Sequence, residues 1–170
     1  ALSLLFGAMN MVPVSADTNY ALEFNGSSNY VNLGRTNAVF GGTNWTSQKT
    51  ISMWIYPAAG QSPAVPPTSG ALILGRDRPR LFGINQAFFN GADKIWVWNA
   101  DLDGVDMVAV DFTPETWMHL SVDHDGNQLV VYKDGALVNS VQSGTTYLQF
   151  EAADGGLYLA GSGRSNPSRY

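Results

Sequence analysis

The carboxylates of this 170-residue sequence are not spaced for hydrolytic chemistry. Glu23, Glu115 and Glu151 lie far apart in the chain, whereas glycoside hydrolysis needs two carboxyl groups held about 5 to 9 Å apart. Two aspartate pairs, at 101 and 103 and at 123 and 125, each stand beside a glycine at an apparent hairpin tip. Turn formation explains these pairs better than catalysis does. We therefore expect a protein that is not an enzyme.

His119 is the strongest single candidate for a catalytic residue. Strand alternation places it on the same face as Trp117 and Ser121, but nothing nearby supplies a nucleophile and an orienting acid. We interpret it as a hydrogen-bonded histidine that fixes the sheet. The sequence contains no Gly-x-Ser-x-Gly elbow, no phosphate-binding loop and no His-Glu-x-x-His motif.

Two tryptophans in segment 94–98 suggest a binding site instead of a catalytic one. Alternation places Trp96 and Trp98 on one face of a strand and two aliphatic residues on the other. If the aliphatic face is the core, both rings stand outward beside Asn99 and Asp101 and form a platform for sugar stacking. The predicted ligand-binding residues are Trp96, Trp98, Asn99 and Asp101. The alternative is that the tryptophans pack inside, since tryptophan is usually well buried.

The elements that would hold these residues are all strands. Apolar residues recur with period two, and turn residues recur every eight to twelve positions, as in a sandwich or barrel. An Asp134-Gly135 pair predicts a two-residue hairpin turn, and residues 61–70, with three prolines, predict a surface loop. Strands are predicted at residues 20–24, 30–33, 50–56, 71–75, 80–85, 94–98, 105–110, 117–123, 128–133, 136–141 and 156–160.

Composition limits the partners and suggests a compartment. A net charge of −5 argues against binding to nucleic acid or to anionic membrane surfaces, and the absence of cysteine excludes disulfides and thiol-based zinc sites. Residues 1–16 form an apolar run that ends in small residues, as the second half of a secretion signal does. We expect a secreted or cell-surface domain over residues 17–170, beginning near Asp17, with no membrane insertion of its own.

Four segments carry a resemblance to a known group of domains. The chain resembles the laminin G-like and concanavalin A-like lectin and glucanase jelly rolls over nearly all of residues 20–166. The Trp-Met-His-Leu string that contains His119 is similar to a structural signature of that group. The four segments are Ala-Leu-Glu-Phe-Asn-Gly at 21–26, Ile-Ser-Met-Trp-Ile-Tyr-Pro at 51–57, Trp-Met-His-Leu-Ser-Val at 117–122 and Leu-Val-Val-Tyr-Lys-Asp-Gly at 129–135.

The resemblance implies an all-β, antiparallel two-sheet jelly-roll sandwich, and it implies several functional properties. Such domains usually end in a further strand, which is not found before Tyr170, so the domain is expected to lack its closing C-terminal strand. Relatives often bind a structural calcium ion near the position of Asn25, which makes Ca²⁺ a possible cofactor. The group also implies a module of a larger extracellular protein that packs against neighbouring modules.

Three functions remain open from the sequence. The first is a non-catalytic, secreted module that binds a glycan or an extracellular protein, as an adhesion domain does. The second is a structural spacer that packs against neighbouring modules and buries its tryptophans. The third is a divergent glycoside hydrolase or lyase, which would require a histidine and carboxylate cluster that the sequence does not assemble.

Overall fold

A computed structural model describes residues 21–25, 29–35, 49–60, 71–75, 82–89, 91–99, 106–143 and 156–160. The regular elements of these residues are strands, and none of them forms a helix long and apolar enough to cross a membrane. The ten strands are β1 (Val31–Arg35), β2 (Lys49–Ile55), β3 (Ala71–Gly75), β4 (Gly83–Phe89), β5 (Ala92–Trp98), β6 (Met107–Val110), β7 (Met118–His124), β8 (Gln128–Lys133), β9 (Ala136–Gln142) and β10 (Gly156–Leu159).

The strands form two antiparallel sheets. One sheet has the order β1-β10-β3-β4-β5-β6, and the other has the order β2-β7-β8-β9. Within the described residues neither sheet closes on itself. The predicted all-β class with two antiparallel sheets is confirmed.

The core lies between the two sheets and follows the strand alternation. In β7, residues from Met118 to His124 are alternately buried and half-exposed, so one face of the strand supplies the core. Ile84, Ile95 and Val97 contribute from the larger sheet and are fully buried. The opposing side chains from the smaller sheet are Leu120, Val122, Leu129 and Val131.

Most predicted strands are formed, with ends shifted by a few residues. The prediction for 128–133 matches β8 fully, and the hairpin at Asp134-Gly135 is confirmed, since both residues have positive φ, 51° and 80°. The strand predicted over 20–24 is wrong for the described residues 21–25. Next to this segment, the Asn25 Oδ1 atom accepts a hydrogen bond from the Asn29 backbone N–H at 3.1 Å. Residues 1–16 and 61–70 lie outside the described residues.

Candidate functional site

The structure describes three of the four residues predicted to bind a ligand, and two of them, Trp98 and Asn99, are buried. Trp96 and Trp98 lie on the outer side of the larger sheet, because Ile95 and Val97 take the core, which is one of the two arrangements the sequence left open. Trp96 is half-buried, and its indole Nε1–H donates to the Ala87 carbonyl at 3.4 Å. Trp98, by contrast, is only 3% exposed. Asp101 lies outside the described residues.

Trp98 is buried because its ring covers a glycine on the neighbouring strand. Gly83 pairs directly with Trp98, and a Cβ atom added to Gly83 would lie 2.7 Å from both Cε2 and Cη2 of the indole. Trp98 therefore keeps the outward direction that alternation gives it, but tertiary packing excludes solvent from its ring. The expected platform of two exposed tryptophans is corrected to one half-buried ring, Trp96, whose contact with a ligand stays a prediction.

Asn99 is also buried, and its contacts are structural. Its Nδ2 group donates to the Ser143 Oγ at 3.5 Å, and that hydroxyl donates to the Asp106 carboxylate at 3.0 Å. The Asn99 backbone N–H donates to the Asp106 carbonyl at 3.2 Å. All three residues are buried, so this network ties the ends of β5 and β6 to the end of β9.

A second surface, on the smaller sheet, carries three exposed aromatic side chains close together. Trp54 is 66% exposed, Tyr56 52% and Trp117 42%. Trp54 lies against the His119 ring with centroids 5.2 Å apart, and Tyr56 lies against Trp117 at 5.4 Å. We call these four side chains the aromatic face. Exposed apolar rings grouped in this way typically mark a binding surface.

The pairing of β2 with β7 assembles the aromatic face. Trp54 is the direct cross-strand partner of His119, so their side chains stand on the same side of the sheet. Tyr56 and Trp117 meet just beyond the strand ends. There the Glu115 backbone N–H donates to the Pro57 carbonyl at 2.8 Å, which holds the two chain segments together. The core-facing residues of both strands fix this orientation.

The hairpin after β8 fixes the position of His119. The Asp134 carboxylate accepts a hydrogen bond from the His119 backbone N–H, and the Asp134 backbone N–H donates to the His119 carbonyl, both at 2.8 Å. These two bonds hold the His119 backbone in the sheet, and a hydrogen bond of its imidazole stays a prediction. The imidazole ring itself lies against Trp54.

Polar side chains continue the same face towards the other end of the strands. Ser52 pairs with Ser121, and Thr50 pairs with Asp123 and donates its hydroxyl to the carboxylate at 2.9 Å. Tyr132 on β8 is the cross-strand partner of Ser121 and extends this polar surface. The outer face of the smaller sheet thus combines a stacking surface with hydroxyl and carboxylate groups, a combination that sugars require.

The turn from β7 to β8 holds a carboxylate with a lowered pKa. The backbone N–H groups of Asn127 and Gln128 each donate to Asp125 Oδ1 at 2.8 Å. These hydrogen bonds stabilise the charged form and hold the pKa of Asp125 below its ordinary value of 3.8. Asp125 therefore stabilises the turn, as expected from its neighbouring glycine.

The described residues do not assemble a metal site. No group of three histidine, aspartate or glutamate side chains in these segments could hold an ion. The Asn25 side-chain oxygen, the ligand implied by the family resemblance, accepts the Asn29 backbone N–H instead. A structural calcium ion at Asn25 stays a prediction.

The sequence contains a signal for the aromatic face in the alternation of two strands. Alternation had placed Trp54 with Tyr56, and Trp117 with His119, on shared sides of their own strands. The missing information was that β2 and β7 are neighbours, which joins the two pairs into one surface.

Comparisons with known proteins support the fold. The model of the concanavalin A-like lectin/glucanases superfamily matches residues 25–170. A similar solved structure is domain 4 of AbnA, a GH43 extracellular arabinanase from Geobacillus stearothermophilus, in complex with arabinotriose. The two share 15% sequence identity at a TM-score of 0.58, over 96% of this chain and 71% of that one. No curated protein matches the chain.

Proposed function

The chain belongs to the concanavalin A-like lectin/glucanase superfamily, and we propose that it is a non-catalytic, secreted module that binds carbohydrate through the aromatic face. The observation that carries the proposal is the exposure of Trp54, Tyr56 and Trp117 together on one side of the smaller sheet. Sugar rings present apolar C–H faces that stack on aromatic rings, and their hydroxyls bond to nearby polar groups.

The chemistry around His119 supports a binding role over a catalytic one. The Asp134 carboxylate accepts a hydrogen bond from the His119 backbone N–H. The Asp123 carboxylate accepts the Thr50 hydroxyl. A glycosidase needs two carboxyl groups facing each other across a bound sugar, and neither of these groups is arranged around His119 in that way.

The structural neighbour gives further support. Domain 4 of the arabinanase shares this fold and was solved with arabinotriose, an oligosaccharide. The fold is therefore compatible with sugar binding, although fold alone does not define function. An accessory module that holds a larger extracellular protein on a glycan fits both the fold and the exposed rings.

A structural spacer between neighbouring modules is the second candidate. It predicted buried tryptophans, and the burial of Trp98 favours it. In that case the aromatic face would contact another protein domain instead of a sugar. The two candidates differ in one measurable property, since only the carbohydrate-binding module binds isolated glycans in solution.

The test is a glycan-array screen of the whole chain, followed by calorimetric titration with the best ligand, with and without calcium. We expect Trp54→Ala and Trp117→Ala each to weaken binding about 3- to 10-fold, from the loss of roughly 0.5–1.5 kcal/mol of aromatic interaction. Since both rings are largely exposed, the variants should remain folded.

Trp96→Ala is the matched control, because Trp96 lies on the opposite sheet. It should leave affinity unchanged if the aromatic face is the site. Loss of binding in Trp96→Ala alone would move the site to the larger sheet, where the sequence first suggested it. A folded chain that binds no glycan on the array would refute carbohydrate binding. The structural spacer would then be the remaining candidate function.

A further inference from the structure

The charge of the proposed binding face restricts the class of glycan that it can hold. Among the side chains named for this face, Asp123 carries a carboxylate, His119 an imidazole, and Tyr56 and Tyr132 phenol groups. The two lysines whose side chains are described both contact Asp111. Lys94 forms an ion pair with its carboxylate at 2.9 Å, and Lys133 donates to its carbonyl at 2.9 Å.

The Asp123 carboxylate on this face would repel an acidic glycan. Uronate and sulfate groups are recognised by lysine and arginine, which pair with the anion in a charge-assisted hydrogen bond. On this face the fixed negative charge of Asp123 lies within a chain of net charge −5, which repels polyanions. The hydroxyls of Thr50, Ser52 and Ser121 suit neutral sugar hydroxyls instead.

The length of the face indicates a chain of sugars. From Thr50 to Tyr56 the strand advances six residues, about 20 Å at roughly 3.4 Å per residue. The cross-strand partners on β7 run alongside in the opposite direction, from Asp123 to Trp117. Aromatic rings occupy one half of this length and polar groups the other, so a single terminal sugar would contact only one of the two halves.

We propose that the ligand is a neutral, linear oligosaccharide of several sugar units that lies along β2 and β7. Its apolar sugar faces cover Trp54 and Trp117, and its hydroxyls bond to Ser52, Ser121 and the Asp123 carboxylate. This inference rests on the proposed carbohydrate binding and adds the charge, shape and direction of the ligand.

The test uses the whole chain and two sets of probes in calorimetric titration. The neutral set is a length series, from one to six units, of β-linked glucose, xylose, mannose and α-linked arabinose oligosaccharides. The acidic set is oligogalacturonate and heparin fragments. We expect at least one neutral series to bind, with affinity that rises with length and then levels off, and with little dependence on salt.

A pair of variants tests whether the oligosaccharide lies along β2 and β7. Ser121→Ala removes a hydroxyl from the polar half of the face. It should weaken the affinity for long oligosaccharides about 3- to 10-fold and leave the affinity for short ones unchanged. Trp54→Ala should weaken the affinity for long and for short oligosaccharides alike. Ser140→Ala is the matched control, since Ser140 is a half-buried serine on β9, away from the β2 and β7 rows.

The outcomes separate this inference from the proposed function. Tight, salt-sensitive binding of acidic fragments that Trp54→Ala abolishes would refute a neutral ligand while preserving carbohydrate binding. Equal affinity for a single sugar and for six units would refute the extended binding mode. Binding of no glycan from either set would refute the proposed function and this inference together.

Discussion

Replacing Gly83 by alanine is the most direct test of how the larger sheet packs. The added Cβ would lie 2.7 Å from two atoms of the Trp98 indole, and closer still to a third, Cζ2. Trp98 is 3% exposed, so the ring has little room to move away. Overpacking of this kind costs about 1–3 kcal/mol of unfolding free energy. In a chain of this size, each kcal/mol lowers the Tm by roughly 2–4 °C.

The assay is thermal and urea unfolding followed by circular dichroism, which does not depend on tryptophan fluorescence. Gly83→Ala is compared in the native background and in Trp98→Leu, where the smaller side chain leaves space for the methyl group. We expect the cost of Gly83→Ala to fall below about 0.5 kcal/mol in the second background, because the clash is then relieved. Equal destabilisation in both backgrounds would show that the Trp98 ring does not lie on Gly83.

Three further predictions concern the turns and the buried polar network. Gly135→Ala should lower the unfolding free energy by about 1–2 kcal/mol, because Gly135 has a φ of 80°. Urea denaturation measures this loss. An unchanged midpoint of the urea transition would argue against the hairpin geometry. The lowered pKa of Asp125 stabilises the fold above pH 3.8, and this contribution is lost as the pH falls through the lower folded pKa. Asp125→Asn should therefore make the Tm less dependent on pH in the acid range. If the Tm of the variant and of the native chain fall equally with pH, the turn contacts of Asp125 are contradicted. Ser143→Ala leaves the buried Asp106 carboxylate without its hydroxyl donor and should cost about 1–3 kcal/mol in calorimetry, while a neutral effect would mean that this bond contributes little.

The strands were predictable from the sequence because their signal is local. Alternating apolar residues and turn pairs such as Asp134-Gly135 depend only on neighbouring positions, and β8 was located to the residue. The same local pattern also predicted a strand over residues 20–24, where the described residues 21–24 form none, because alternation does not show whether a neighbouring strand is present to pair with.

The candidate site was only partly predictable because it depends on which strands are neighbours. The aromatic face requires β2 to pair with β7, and more than 60 residues separate Trp54 from His119 in the chain. The burial of Trp98 likewise depends on Gly83 in the adjacent strand. Alternation states which side of a strand a residue occupies, but it does not state what covers that side.

The division of β7 into buried and half-exposed positions also affects how the domain can change over evolution. Met118, Leu120 and Val122 hold the two sheets together, while the residues between them face outward. Mutations at the outward positions can therefore change the chemistry of the outer face without loss of the fold. Descendants of one such scaffold could diversify in ligand preference while inheriting the same interior.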